Sequence, residues 1–284
     1  ITEEGVNEPS SALGYALSRE NYTFIHAYDD DAVIAGQGTI GLEILEQLRD
    51  VDIVLVPVGG GGLLSGLAVA VKSIAPEVKV IGVQTESAVS ATESFRSGKV
   101  RDIIPSSTLA DGIAVGRVGG RPLEIMLRYV DDMILADEDS IAMAILLFFE
   151  RKKLVVEGAG AVTLAALLRH TERFRGKRVV LVASGGNIDF TLVDRIIHKG
   201  LMISGRMGVF EAVVDDVPGR LQQLAGIIAA HRGNILHVSH NRFALDLPVG
   251  RTRVAFTVET RGKGHIEEIL ADMTEKGFPV KMKQ

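Results

Sequence analysis

The sequence predicts an α/β fold, a parallel sheet with helices on both faces in three layers, followed by a small βαββαβ unit. Three observations carry this. Apolar, β-branched runs such as Ile53–Val58 read as strands buried on both faces, and apolar residues at helical spacing follow them. Strand and helix patterns alternate to about residue 198, which favours parallel pairing through crossover helices. After a lapse from Lys199 to Arg206 the order becomes strand, helix, two strands, helix, strand. The expected domains are therefore residues 1–200 and 201–284.

In order, Leu13, Ala16 and Leu17 have helical spacing and Tyr22–Ala27 reads as a short strand, with His26 at its end in a structural role. Gly36-Gln37-Gly38-Thr39-Ile40-Gly41 is expected to be a loop leading into a helix with Ile40, Ile44, Leu45 and Leu48. After the strand Ile53–Val58, Leu63, Leu64, Leu67, Ala68 and Val71 mark the next helix. Lys79–Val83 is a strand, Ser87–Phe95 a helix, and residues 99–122 a long irregular stretch of the kind that usually serves function. Met133–Ala136 is a strand, with Asp137 or Asp139 capping a helix that carries Ile141, Ile145, Leu146 and Phe149. Glu157-Gly158-Ala159-Gly160 opens another helix. Arg178–Ala183 is the last strand of this domain, and Asp189 starts a helix to about His198. In the second domain Met207–Val214 is a strand, Pro218 sits in the first turn of a helix, and Leu221, Leu224, Ala225 and Ile228 face its core. A strand with Leu236 and Val238, another around Val254, Phe256 and Val258, a helix His265–Glu275 and a strand Phe278–Met282 complete it. Lys281 and Lys283 would protect a sheet edge.

The 284 residues carry a net charge of −5, with 46% hydrophobic and 24% charged residues, enough to bury a substantial core. Absence of cysteine removes disulfides, thiolate metal sites and cysteine nucleophiles, and fits a reducing cytoplasm. No basic stripe marks a nucleic-acid partner, and no apolar run, Ile141–Phe149 included, is long enough to cross a bilayer. The start Ile1-Thr2-Glu3-Glu4-Gly5 lacks a Met and reads as a strand end entering a turn, so the chain is expected to begin within a domain.

The chemistry centres on Gly59-Gly60-Gly61-Gly62-Leu63, a strand-to-helix turn. Such a turn aims several backbone N–H groups at one anion, and the helix N-terminus favours the same charge. A flexible or tightly packed turn without a ligand is the competing reading. A second glycine turn, Ser184-Gly185-Gly186-Asn187, lies at another strand's C-terminal end, where open α/β sheets bind ligands.

Together with Ala110-Asp111-Gly112 and Glu157-Gly158-Ala159-Gly160, in that order, these motifs resemble the threonine/serine dehydratase family of fold-type II pyridoxal-phosphate enzymes. Residues 207–283 resemble an ACT domain. The first resemblance implies that Gly59, Gly60, Gly61, Gly62 and Leu63 bind the cofactor phosphate, that Ser184 meets the pyridine nitrogen, and that Gly112 and Glu157 lie near the ring. A hydroxyl does not protonate that nitrogen as an aspartate would, so the ring is a weaker electron sink and β-elimination is favoured. The implied reaction takes threonine to 2-oxobutanoate and ammonia. Ser184 as a helix cap and Glu157 as a helix N-terminal acid are the plainer alternatives.

The family's Schiff-base lysine and carboxylate-binding loop fall upstream of these motifs, and no lysine in residues 1–198 has the family's Ser-Phe-Lys context. The chain is thus expected to be part of a longer enzyme and inactive alone. Gln84, Ala88 and Ser90 stand where racemase-like relatives place acidic metal ligands, so no divalent metal is expected; Ala27 and Val118 replace usual prolines. The ACT resemblance implies that Asp216, Pro218, Gly219, Arg220 and Leu221 meet Asn234 and Ile235 of another copy around isoleucine or valine, in a homodimer or homotetramer. A dimerisation domain without ligand is the alternative. A serine dehydratase or racemase and a non-catalytic amino-acid sensor are the rival readings. A dinucleotide fingerprint fails, because glycines at 59 and 61 are followed by Leu64 and those at 60 and 62 by Ser65.

Overall fold

A computed structural model describes residues 23–188 and 190–283. The expected helix at residues 10–20, the chain start, Tyr22 and Asp189 lie outside the described residues. The chain divides into two compact units at Val193/Asp194, within a helix Phe190–Ile203 that runs past the expected end at His198.

The first unit holds a four-stranded parallel sheet of β1 (Ile53–Pro57), β2 (Lys79–Thr85), β3 (Asp132–Ala136) and β4 (Val179–Leu181), in the order β3-β2-β1-β4. Leu55 is in register with Ile81 on one side and Leu181 on the other. Every residue of β1 is buried, as a continuous apolar strand requires when both faces are covered. Val54, Val56 and Val58 pack with Leu64, Leu67 and Val71 of helix α2 (Gly62–Ile74). On the opposite face Leu55 is equally inaccessible, and helix α6 (Gly158–Arg169) anchors Thr163 by a hydroxyl bond to the Val182 carbonyl.

Four sequence expectations need correction here. Residues 23–26 form no strand; His26 Nδ1 accepts N–H groups of Tyr28 and Asp29 at 3.3 and 3.0 Å, which is the structural role expected of it. Gly36–Gly41 is no loop but lies inside α1 (Asp31–Gln47), whose N-cap Asp30 accepts from Ala32 and Val33. Its glycines permit a close helix crossing: a Cβ on Gly66 of α2 would lie 2.0 Å from the Ile34 carbonyl oxygen. The expected helix from Ser87 begins at Ser90, as α3 (Ser90–Ser97), because Ala88 first closes a turn onto Thr85. The strand at Arg178–Ala183 pairs only over Val179–Leu181. The irregular stretch gives way to α4 (Gly120–Tyr129), whose first N–H groups, on Gly120 and Arg121, donate to Asp29. Helix α5 (Glu138–Leu147) follows β3, with Asp137 accepting from Ser140 N as the cap, and α7 (Thr171–Phe174) and α8 (Phe190–Ile203) come after α6 in the chain.

The second unit has four antiparallel strands, β5 (Met207–Asp215), β6 (Asn234–Asn241), β7 (Arg251–Glu259) and β8 (Val280–Lys283), ordered β6-β7-β5-β8. Alternate residues Phe210, Ala212 and Val214 and Val254, Phe256 and Val258 are buried against Leu224, Ile227 and Ile228 of α9 (Arg220–Ala230) and Ile266, Ile269 and Met273 of α10 (Lys263–Glu275). The helices thus cover one sheet face, the arrangement open to an antiparallel sheet. Lys281 and Lys283 do lie on an edge strand. Pro218 precedes the helix rather than joining its first turn, because Gly219, at φ 92°, makes the cap.

Candidate functional site

The glycine turns end neighbouring parallel strands. β1 runs into Gly59–Gly62 and β4 into Ser184–Asn187, both at C-terminal strand ends on the same side of the sheet. Gly60, Gly61 and Gly62 are buried, with Gly59 and Leu63 partly accessible. Gly61 adopts φ 96°, a left-handed backbone that glycine permits. Among the described residues the N–H groups of Gly59 through Leu63 donate to no acceptor, while the Gly60 carbonyl is taken by Gly119 N.

Loop residues 110–115 connect this turn to the second one. A Cβ on Gly59 would meet Val115 at 3.2 Å, and one on Gly112 would meet both Ala159 and the Glu157 carboxylate at 3.2 Å. Gly158 lies flat on the Leu109 carbonyl, and Gly160 on the carbonyls of Ser184 and Gly185. A Cβ on Gly185, at φ 100°, would lie 2.0 Å from Glu157 Oε1. The structure therefore brings Gly112, Glu157 and Ser184 together through close glycine contacts, with Gly59 on the other flank of the loop. Leu109, Asp111, Glu157, Gly158, Asn187 and Leu192 line part of a cavity of about 250 Å³ there.

Glu157 is half-buried and caps α6 without a side-chain bond to that helix. Burial, reinforced by the Asp111 carboxylate, pushes its carboxyl above the ordinary glutamate range, against a lowering bond from the Asn187 backbone. The half-buried Ser184 hydroxyl makes no hydrogen bond among the described residues. The positions weighed for a metal hold packing contacts: Gln84 Oε1 accepts from Thr92 N at 2.8 Å, Ser90 Oγ donates to the Val115 carbonyl at 2.6 Å, and Ala88 is buried.

In the second unit the effector candidates fall into two groups. Asp216 accepts from Arg242 Nε at 3.1 Å, Arg220 bonds Gln223 at 3.1 Å, and Pro218, Gly219 and Leu221 surround the start of α9. Asn234 instead donates to Glu259 at 3.1 Å, and Ile235 packs on the core. Asp215 pairs with Arg251 and Asn234 with Glu259, so the groups occupy opposite ends of β7 within one chain.

Sequence reading assigned no role to Tyr28 or Glu138. The Tyr28 ring rests on Gly60, where a Cβ would come within 2.2 Å of it. An apolar ring beside a tetraglycine is a signal only in three dimensions.

An open parallel sheet with glycine-lined strand ends and unpaired N–H groups defines a class that cradles an anionic cofactor, and the chain belongs to the pyridoxal-phosphate dependent enzyme family, whose model matches residues 2–185. It is 50% identical over 259 residues to an L-threonine ammonia-lyase of Thermotoga maritima, covering 91% of this chain and 64% of that protein. Against an L-threonine ammonia-lyase of Geobacter sulfurreducens it is 42% identical over 280 residues, covering 99% of this chain and 70% of the relative. A solved threonine deaminase from Solanum lycopersicum, the processed form of isoform 2, superposes with a TM-score of 0.63 at 36% identity, over 65% of this chain and 55% of that one. The chain thus spans about two thirds of the length of the two ammonia-lyases. The family's cofactor is pyridoxal phosphate, and the residues fit it: among the described residues the tetraglycine N–H groups have no acceptor, as an anion site requires, and a hydroxyl without a hydrogen-bond partner lies at the adjoining strand end.

Proposed function

We propose that this chain supplies the cofactor-holding and regulatory parts of an L-threonine ammonia-lyase, which converts L-threonine to 2-oxobutanoate and ammonia. The observation that carries this is the meeting of Gly112, Glu157, Gly185 and the Ser184 turn beside a tetraglycine whose N–H groups have no acceptor among the described residues. The names of its relatives support the substrate. Gly59, Gly60, Gly61, Gly62 and Leu63 hold the phosphate through backbone N–H groups, which need no counter-ion side chain. Ser184 would hydrogen-bond the ring nitrogen, with Gly112 and Glu157 bordering the ring. Bound pyridoxal phosphate supplies the electron-withdrawing ring that acidifies the substrate's α-C–H. On this reading the amine that attaches the cofactor is none of the lysines of residues 1–198, which lack the Ser-Phe-Lys context. Lys72 is paired with Asp131 at 2.8 Å, and Lys79 starts β2 at the opposite end of the sheet from the cup.

The second unit is read as an ACT-like domain in a cytoplasmic homo-oligomer. The separation of its two effector groups within one chain favours a site completed by a second copy, for isoleucine or valine. The full protein should release 2-oxobutanoate from L-threonine faster than pyruvate from L-serine, and the 284-residue chain alone should bind pyridoxal phosphate without turnover. Equal or preferred serine turnover would move the reading to a serine dehydratase. Thermal stability of the full protein should rise with millimolar isoleucine or valine, and no shift with either would remove the effector claim.

A further inference from the structure

Glu138 opens α5, two residues beyond the C-terminal end of β3 at Ala136. Its Oε1 accepts hydrogen bonds from Thr85 Oγ1 at 3.0 Å, Ser87 Oγ at 3.2 Å and Thr108 Oγ1 at 2.5 Å. Its Oε2 accepts the Leu109 N–H at 2.8 Å. One carboxylate therefore ties the end of β2 and its following turn to Thr108 and Leu109, in the middle of the long irregular stretch. Thr108 Oγ1 in turn accepts from Ala110 N at 3.1 Å, so the tie reaches the residue before Asp111-Gly112.

That stretch has no regular structure of its own before the short 3-10 turn Asp111–Ile113. Leu109 and Asp111 line the cavity with Glu157, the Leu109 carbonyl lies against Gly158, and Ile113 and Val115 lie against Gly59. A displacement of Thr108 and Leu109 would move all these contacts. We propose that Glu138 is a positioning residue for the cofactor site: by clamping Thr108 and Leu109 it fixes the segment Leu109–Ile113 against the glycine turns. This rests on the reading of the site as a pyridoxal-phosphate cradle.

The clamp requires a group that only accepts. Both oxygens of a carboxylate can receive the hydroxyls and the amide at once, whereas an amide of the same shape presents an NH₂ to one of those donors. Charged hydrogen bonds of this kind are also the shorter and stronger ones. Glu138→Gln therefore breaks the clamp without opening a cavity, and Thr108→Val removes one arm from the other side.

The test uses the full protein stripped of cofactor. Hydrogen exchange of the Leu109 and Ala110 amides should accelerate in both variants while the strands of the sheet stay protected. Affinity for added pyridoxal phosphate, read by fluorescence, should fall about tenfold, as expected for one charged hydrogen bond lost. The double variant should bind no more weakly than Glu138→Gln alone, since both substitutions break the same clamp. Unchanged exchange at Leu109 and Ala110 overturns the anchoring, and accelerated exchange with unchanged affinity overturns the link to the cofactor. A wild-type protein that takes up no pyridoxal phosphate overturns the reading of the site and the cofactor half of this proposal, while exchange still decides the anchoring half.

Discussion

Gly66→Ala should destabilise the first unit, although alanine is the better helix former. In α2 a Cβ at this position would lie 2.0 Å from the Ile34 carbonyl oxygen and 2.8 Å from Gly38 N, both backbone atoms of α1. Neither can rotate away, so the helices must part by about an ångström to reach even a tight contact. That movement also loosens Gly41, whose own Cβ position lies 3.1 Å from the Leu67 carbonyl. Overpacking of this kind costs about 1–3 kcal/mol, and occasionally more. The gain from replacing a helical glycine is about 1 kcal/mol. A fixed backbone obstacle puts the cost at the upper end, giving a net loss of about 2 kcal/mol and a fall of roughly 4–8 °C in Tm for a unit of this size. Gly36→Ala is the matched control. It lies in the same helix pair with nothing within 4 Å of its Cβ position, so it should gain up to about 1 kcal/mol. Urea denaturation of both variants measures the difference. A Gly66→Ala protein as stable as Gly36→Ala would refute the close-crossing argument.

Two further outcomes concern pH. Glu157 has a carboxyl raised by burial and Asp111, so its contribution is fully present below its unfolded value and is lost as pH rises through the folded one. Glu157→Gln should therefore leave the cofactor-free protein unchanged in acid and raise its Tm near neutrality, flattening the Tm–pH curve; parallel curves would disprove the shift. Asp272 behaves oppositely, because hydrogen bonds from Lys276 and His231 hold its carboxyl below the ordinary range. Its stabilisation is present above the unfolded value and lost as pH falls through the folded one, so Asp272→Asn should lower the Tm of the second unit at neutral pH and converge with the wild type in acid.

What was legible in the sequence is what period and composition encode. Ile53–Val58 announces a doubly covered strand, and the alternation at Val254, Phe256 and Val258 announces a one-sided sheet. Gly36–Gly41 departs from its expected loop because a glycine of a loop and a glycine that admits a second helix look alike until Gly66 is placed beside Ile34. Glu138 was invisible for a related reason. Its partners Thr85, Ser87, Thr108 and Leu109 are distant in sequence and join only when β2 and the irregular stretch meet at the head of α5. The four motifs, by contrast, were readable because each is a short run whose glycines mark close approach, though what each approaches was not.

That distinction bears on the tetraglycine itself. A ligand is not what fills the side-chain positions of these glycines: the space beside Gly60 and Gly62 belongs to Tyr28, and that beside Gly61 to Pro122. The side-chain positions are filled by protein, whereas the N–H groups have no acceptor among the described residues. Packing therefore requires the glycines, and the anion uses what packing leaves open. If so, Gly60→Ala should destabilise by about 1–3 kcal/mol through overpacking against the Tyr28 ring. Because Gly60 has no positive φ, adding Tyr28→Ala should recover most of that loss relative to Tyr28→Ala alone. Gly61→Ala should gain no comparable relief, since its φ of 96° strains any side chain by about 1–2 kcal/mol. A double-mutant cycle in urea measures the coupling between positions 28 and 60. Additive effects there would return Gly60 to the ligand, and strong coupling with restored pyridoxal-phosphate affinity would assign the glycine to packing and only its N–H to the phosphate.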